Sequence, residues 1–303
     1  MSSWLLFSIL APLFWGLSNP LDAAVRRCYI KNDFVLTWLL VLMRLFLAVI
    51  LFLVWGTDFI WGWNTFILMI AGFLWTLPFL FYFKALEFEE TSRVVLFIQM
   101  GPIAVFLLAW LIMGETLTLS QFVAFLLILF GGTLAAFKKV NKKWHFSKAF
   151  LLLIVASLMW ALSDVLFKHL EPFFGTFKNA FVIYFFGGGL PALFVVFFPQ
   201  KLKLIKKHMT GLGFRAWSIL SVTFVSGILG SVAVAYALTL GKASLTTVFA
   251  GLQPLFAFIF GVIFVSFIKE IPKESMTRSD IIFKALSLVF ILAGLIYLNY
   301  PVN

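Results

Sequence analysis

Arg44 sits about ten residues into an unbroken apolar run from 34 to 55. If that run is a helix spanning a bilayer, the guanidinium lies roughly 15 Å deep at about 1.5 Å per residue. A lone cation at that depth costs several kcal/mol unless it meets a partner or water. Two roles fit. Arg44 either attracts the carboxylate or phosphate of a substrate, or forms a structural pair with an acidic group such as Asp22 or Asp164.

Asn19 and Asp164 each follow a tryptophan by four residues, Trp15 and Trp160. At that spacing each ring and its polar partner share one helix face, and an aromatic surface beside a hydrogen-bonding group suits a polar ligand. The competing reading makes both tryptophans interfacial anchors and Asp164 a partner of Lys168. Asp164 is also a candidate for proton uptake in a coupled cycle. Gln99 and Gln253 lie just before Pro102 and Pro254, where a missing amide and a ring clash free backbone carbonyls for a ligand or merely kink the helix. Tyr82 and Tyr236 offer hydroxyls near helix ends, where interfacial tyrosine is common; of the two, Tyr236 is the one taken forward. Gly187, Gly188 and Gly189 with Pro191 mark a hinge or a close-packing site. The candidate substrate-binding set is therefore Trp15, Asn19, Arg44, Gln99, Trp160, Asp164, Tyr236 and Gln253.

Catalytic chemistry has little to build on. His145, His169 and His208 lie in or beside connections, and no metalloprotease, nucleophile-elbow or Cys-x-x-Cys pattern occurs. The triple glycine is not a phosphate loop, because no Gly-Lys-Ser/Thr follows it. The single cysteine, Cys28, allows no internal disulfide and fits no metal-ligand spacing. The expectation is no enzyme, no cofactor and no metal.

The elements that must position these residues follow from composition. Hydrophobic residues make up 63% of the chain and charged ones 12%, far from the roughly one quarter charged of soluble domains. The apolar runs are about 20 residues long, the length a helix needs to cross a hydrocarbon core. A barrel would alternate apolar and polar residues, whereas 122–137 and 285–300 are apolar on nearly every face. The predicted spans are 4–21, 34–55, 59–83, 92–113, 119–137, 147–168, 176–198, 212–240, 243–267 and 281–300. The first lacks a preceding basic region and reads as an uncleaved helix. The net charge of +11 resides in the connections, where lipid headgroups account for it, so nucleic acid is not an expected partner.

The chain then repeats itself. The stretch from Leu13 to Asn19 resembles that from Leu158 to Asp164, with Trp, Leu and Ser at matching places. Ala85, Leu86, Ser92, Phe97, Pro102 and Phe106 find the same types at Ala237, Leu238, Ser244, Phe249, Pro254 and Phe258, and Gly131-Gly132 matches Ala293-Gly294. The basic stretch 138–148 divides the chain into a first half, 4–137, and a second, 147–300. Of the 23 Lys and Arg, 19 lie in or at the edges of the connections after odd-numbered spans; by the positive-inside rule those face the cytoplasm and both termini lie outside. Five spans per half is odd, so the halves are inverted. That is the construction by which many secondary transporters bind a substrate at the repeat interface near the midplane.

Trp15-Gly16-Leu17-Ser18-Asn19, Arg44, Ala85-Leu86, Pro102 and Gly114-Glu115-Thr116-Leu117 together resemble the EamA-type drug/metabolite transporters, over essentially the whole chain. The resemblance implies an all-α membrane protein of ten transmembrane helices, two inverted five-helix repeats around a central cavity. It further implies a secondary carrier of a small polar metabolite, such as an amino acid or nucleotide derivative, in a bacterial inner membrane. Two features depart from it. Phe267 stands where the repeat would place a mate for Glu115, with Glu270 displaced by three residues, and the basic residues favour the opposite orientation to that of many relatives. The expected partners are the small-molecule substrate and the lipid bilayer; the sequence fixes no oligomeric state. A membrane enzyme or scramblase acting on lipid-linked substrates, or a non-transporting subunit, stay open. A lipid-handling groove should open toward the bilayer and a carrier cavity toward water.

Overall fold

In lipid a chain must bond its backbone polar groups internally, and this one does so with helices; no strand occurs among the described residues. The computed structural model describes residues 3–58, 61–88, 91–136, 148–271 and 278–299. The predicted linker 138–148 falls almost wholly outside them.

Helix α1 (Ser3–Ala24) contains Pro12 and Pro20 and passes into a π-helical turn, Val25–Tyr29. Helix α2 (Asp33–Trp55) begins where the Asn32 side chain accepts a hydrogen bond from Val35 N at 3.1 Å, satisfying one of the free amides of a helix start. It ends at Gly56, whose φ of 58° is the left-handed conformation that favours glycine. Helices α3 (Trp63–Thr76) and α4 (Pro78–Phe88) are one apolar rod broken at the proline, which has no amide to give. Helices α5 (Thr91–Ile98) and α6 (Gly101–Met113) are likewise separated at Gln99 and Met100, with Pro102 in the first turn of α6. Helix α7 (Leu119–Ala136) follows.

Helix α8 (Lys148–Leu170) leads through a short 3-10 turn to α9 (Phe177–Gly189), which Thr176 caps by accepting from Asn179 N at 3.3 Å. A 3-10 segment, Leu190–Phe197, continues α9. The predicted spans leave 199–211 as a connection, but Pro199–Met209 forms a lysine-rich helix, α10, that seats Ile205 on the core. Helix α11 (Phe214–Leu240) comes next. Helices α12 (Ala243–Val248) and α13 (Gln253–Val265) are joined by a 3-10 turn, and Pro254 occupies the first turn of α13. Helix α14 (Arg278–Asn299) closes the chain. The two Gln-Pro regions thus interrupt their helices at corresponding places, as the prolines dictate.

Seven helices or continuous helix pairs are long and apolar enough to cross a membrane, and Gly101–Met113, Leu119–Leu134 and Ile281–Tyr297 are shorter apolar helices. Large apolar side chains cover the outside, among them Leu53, Val54, Leu111, Phe197 and Ile296. So extensive an apolar exterior marks a lipid-facing surface, and the chain is an integral membrane protein. The third predicted span, 59–83, is displaced: the helical rod runs from Trp63 to Phe88, with Lys84 and Glu87 paired at 2.6 Å at its end.

Packing follows a pattern in which helices of the first half of the sequence lie against helices of the second. α1 runs along α11, α8 runs along α3 and α4, and α7 lies against α14. α3 and α9 approach so closely that a Cβ on Gly72 would run into the Tyr184 carbonyl oxygen, and one on Gly187 would meet the Met69 backbone. The triple glycine is therefore a close-packing device rather than a break. α2 and α11, in contrast, barely touch.

Candidate functional site

Two helices supply most of the site. Along α1, Trp15, Asn19 and Asp22 stand three and four residues apart, hence on one stripe. Along α8, Ser157, Trp160 and Asp164 do the same. These stripes face a cavity of about 130 Å³, which Trp75, Phe79 and Tyr82 wall from α3 and α4, Pro102 and Val105 from α6, and Thr246 and Gln253 from the broken α12–α13 rod. Most of the lining is apolar, with a few converging polar groups, the usual make-up of a small-molecule site.

A directed hydrogen-bond chain crosses one wall. Gln253 Nε2 donates to Asn19 Oδ1 at 2.8 Å, Asn19 Nδ2 donates to the Tyr82 hydroxyl at 3.2 Å, and that hydroxyl donates to Asp22 Oδ2 at 3.4 Å. A satisfied buried network of this kind fixes a unique arrangement of the helices that contribute to it. Across the cavity the Trp160 indole donates to Trp75 O at 2.8 Å, and Ser163 bridges Ala71 O at 2.7 Å and the Tyr184 hydroxyl at 2.9 Å. Asp164 has no hydrogen-bond or ion-pair partner among the described residues. The alternative pairing with Lys168 does not form, since the Lys168 ammonium is held by the carbonyls of Leu238 and Gly241.

Arg44 lines a second chamber of about 50 Å³ beside the first, with Ser18 and Asp22 of α1 and Thr223, Phe224, Gly227 and Ser231 of α11. It is only 2% exposed, and none of its guanidinium nitrogens has a hydrogen-bond partner among the described residues. Neither Asp22 nor Asp164 pairs with it. Instead its guanidinium carbon sits 4.1 Å from the centre of the Phe185 ring, 4.2 Å from Trp75 and 5.3 Å from Tyr184. Cation–π contacts contribute roughly 0.5 to 2 kcal/mol each, while a desolvated guanidinium costs several. Its donors are thus unspent among the described residues.

Of the eight candidate residues, Trp15, Asn19, Trp160, Asp164 and Gln253 meet at the main cavity and Arg44 at the adjoining chamber. Gln99 is buried at the break between α5 and α6, where its amide donates to Ala250 O at 3.3 Å and its carbonyl oxygen has no partner among the described residues. It does not line either chamber. Tyr236 is a correction: its ring packs between Phe7 at 4.8 Å and Phe177 at 5.1 Å, away from both chambers. The α11 face that carries it turns toward an aromatic cluster, and Tyr82 supplies the cavity hydroxyl in its place.

Sequence reasoning passed over Ser157, Asp22 and Thr246 as ligand-facing residues. The signal for two of them was present, since Ser157 lies seven residues before Asp164 and Asp22 three after Asn19, both helix-face spacings. Thr246 gave none, because its placement depends on the 3-10 turn between α12 and α13. Glu115 has a structural role: its carboxylate accepts from Ala243 N at 2.8 Å, Ser244 N at 3.0 Å and the Ser244 hydroxyl at 2.7 Å, capping α12 at its positive end. Glu270 does something different, accepting from the Tyr29 hydroxyl at 2.8 Å and from Arg215 at 2.9 Å. The asymmetry expected from Phe267 is therefore visible in their partners.

Comparison with known proteins bears on this architecture. No curated protein matches the chain. Among solved structures 28 chains match. One, a crystal structure described only as that of a protein, is 16% identical with a TM-score of 0.70, covering 99% of this chain and 97% of that one. At that identity the likeness shows the fold alone. The family model of the EamA-like transporters matches residues 2–137 and again 147–300. Two copies of that model account for nearly the whole sequence, and the chain belongs to the EamA-like transporter family.

Proposed function

We propose that this chain is a secondary carrier of a small polar metabolite, such as an amino acid or nucleotide derivative, working by alternating access. On this proposal the seven long spans are joined by α5–α6, α7 and α14 to make ten. Residues 4–137 and 147–300 form two inverted halves in a bacterial inner membrane, with both termini outside. The observation that carries it is that the cavity is lined by residues at matching places in the two halves, Trp15 with Trp160 and Asn19 with Asp164.

Packing supports the inversion. α1 of the first half lies along α11 of the second, and α8, its counterpart, lies along α3 and α4, the counterpart of α11. The helix starts at Asn32 and Thr176, each capped by its own side chain, are also counterparts. One pair breaks the symmetry: α3 is stitched to α9 by glycine, while α2 and α11 stand apart around the Arg44 chamber. A carrier caught with one gate closed and its counterpart open has this asymmetry, and exchanging the two would present the cavity to the other side. The free donors of Arg44 would then receive the anionic end of a substrate passing through.

A carrier fits better than an enzyme or scramblase acting on lipids. The polar groups converge inside, whereas the outer groove walled by Phe34, Trp38, Phe73, Leu77, Leu80 and Phe194 has only Thr37, Thr76 and Lys201 as polar side chains and no carboxyl. Purified protein in liposomes should move at least one member of a panel of amino acids and nucleotide derivatives, and the Asp164→Asn variant should lose most of that flux. Absence of flux for every compound, with protein that is folded and inserted, would overturn the proposal.

A further inference from the structure

Among the described residues the main cavity carries two carboxyl side chains, Asp22 and Asp164, and no basic one. Asp22 receives the Tyr82 hydroxyl at 3.4 Å, but Asp164 has no partner among the described residues. Lys168, one turn further along α8, is spent on backbone carbonyls. Arg44 belongs to the adjoining chamber, with its charge stacked on Trp75.

Two further polar atoms on the lining are unspent. Ser157 Oγ and Thr246 Oγ1 have no hydrogen-bond partner among the described residues, although each residue is only 2% exposed. Ser157 lies two turns before Asp164 on the same face of α8. A carboxylate only accepts hydrogen bonds, and a hydroxyl accepts as readily as it donates. The hydroxyls can turn to donate or accept, but the Asp164 carboxyl, on the same lining without a donor among the described residues, is best complemented by a positively charged donor. Around these groups stand the rings of Trp15, Trp75 and Trp160, surfaces that attract a desolvated cation.

We infer that the ligand of this cavity is a protonated organic amine on a compact apolar or aromatic body, its ammonium held by Asp164 and its body lying along the wall that carries Ser157 and Thr246. The inference rests on the carrier reading of the cavity and names the substrate class of that same site. The apolar remainder of the wall, including Ala11, Pro12 and Val105, takes the body of the molecule.

The experiment uses three probes of nearly equal shape, phenethylamine, phenethyl alcohol and 3-phenylpropionate, with the full chain in lipid nanodiscs and binding read by calorimetry. Phenethylamine should bind at least about ten-fold more tightly than either other probe, the effect of one charge-assisted hydrogen bond. Asp164→Asn should weaken it by a similar factor and Ser157→Ala by less. Equal binding of the three probes, preference for the carboxylate, or undiminished binding to a folded Asp164→Asn variant would each overturn the inference. Should that variant not fold, the ranking of the three probes on the natural chain decides alone. The carrier reading fails separately: an amine that binds and is not transported sinks the carrier and leaves the amine site. An anionic substrate that is transported while phenethylamine is ignored does the reverse.

Discussion

Gln253 donates a 2.8 Å hydrogen bond to Asn19, tying the first turn of α13 to the middle of α1 at the wall of the cavity. Both residues are buried, so each satisfies a group that water cannot reach. Removing either leaves the other unpaired at a cost of about 1 to 3 kcal/mol. Asn19→Ala and Gln253→Ala should each lower thermal stability, and the double variant should lose clearly less than the two together. Strict additivity in a double-mutant cycle would show that the bond does not hold the helices.

Arg44 should prove dispensable for folding and needed for function. Replacing a buried, unpaired guanidinium by an apolar side chain of similar length removes a desolvation cost. Arg44→Met should therefore melt at or above the natural chain while transport falls by about ten-fold or more. Arg44→Lys should not restore it, because an ammonium lacks the planar face that stacks on Trp75 and Phe185. Loss of folding in Arg44→Met, read by size-exclusion profile and melting curve, would contradict this.

Close packing of α3 on α9 makes Gly72 and Gly187 intolerant of a side chain. Overpacking of a tight contact costs roughly 1 to 3 kcal/mol, and here the obstacle is backbone that cannot turn aside. Gly72→Ala and Gly187→Ala should both lower the melting temperature, whereas alanine at Gly227, where a Cβ meets nothing, should not. Equal melting temperatures for all three would refute the close approach.

Outside the spans, Glu270 gives a pH-dependent prediction. The Tyr29 hydroxyl, and after it the Arg215 guanidinium, hold its carboxyl below the ordinary glutamate range. A depressed folded-state value stabilises above the unfolded pKa of about 4.3 and loses that contribution as the pH falls through the folded value. The contacts lie near the surface, so the effect is about 1 kcal/mol or less. Glu270→Gln should melt slightly below the natural chain at pH 7 and coincide with it in strong acid. A gap that widens on acidification would reverse the sign.

The apolar rods were legible in the sequence because their length and composition leave a helix as the only solution in lipid, and the repeat of Trp15 at Trp160 pointed to the two helices that line the cavity. Arg44 was legible as buried, yet not as unpaired, since its aromatic neighbours Trp75 and Phe185 come from helices whose contacts no local pattern encodes. Tyr236 misled for a related reason: its position near the end of α11 was clear, but the rotation of that helix depends on packing against Phe7 and Phe177. α10 was missed because lysines dominate Pro199–Met209 and mask the short apolar face that carries Ile205.

Reciprocal motion of the two gates is the central claim, and paired distances test it most directly. Spin labels at Lys31→Cys and Trp217→Cys report the α2–α11 side, and labels at Trp63→Cys and Lys178→Cys the α3–α9 side, each pair read by pulsed electron resonance in nanodiscs. Two populations are predicted, in which the α2–α11 distance shortens as the α3–α9 distance lengthens, with phenethylamine or a transported metabolite changing their proportions. Single distances on both sides, unmoved by any ligand that binds, would contradict the account.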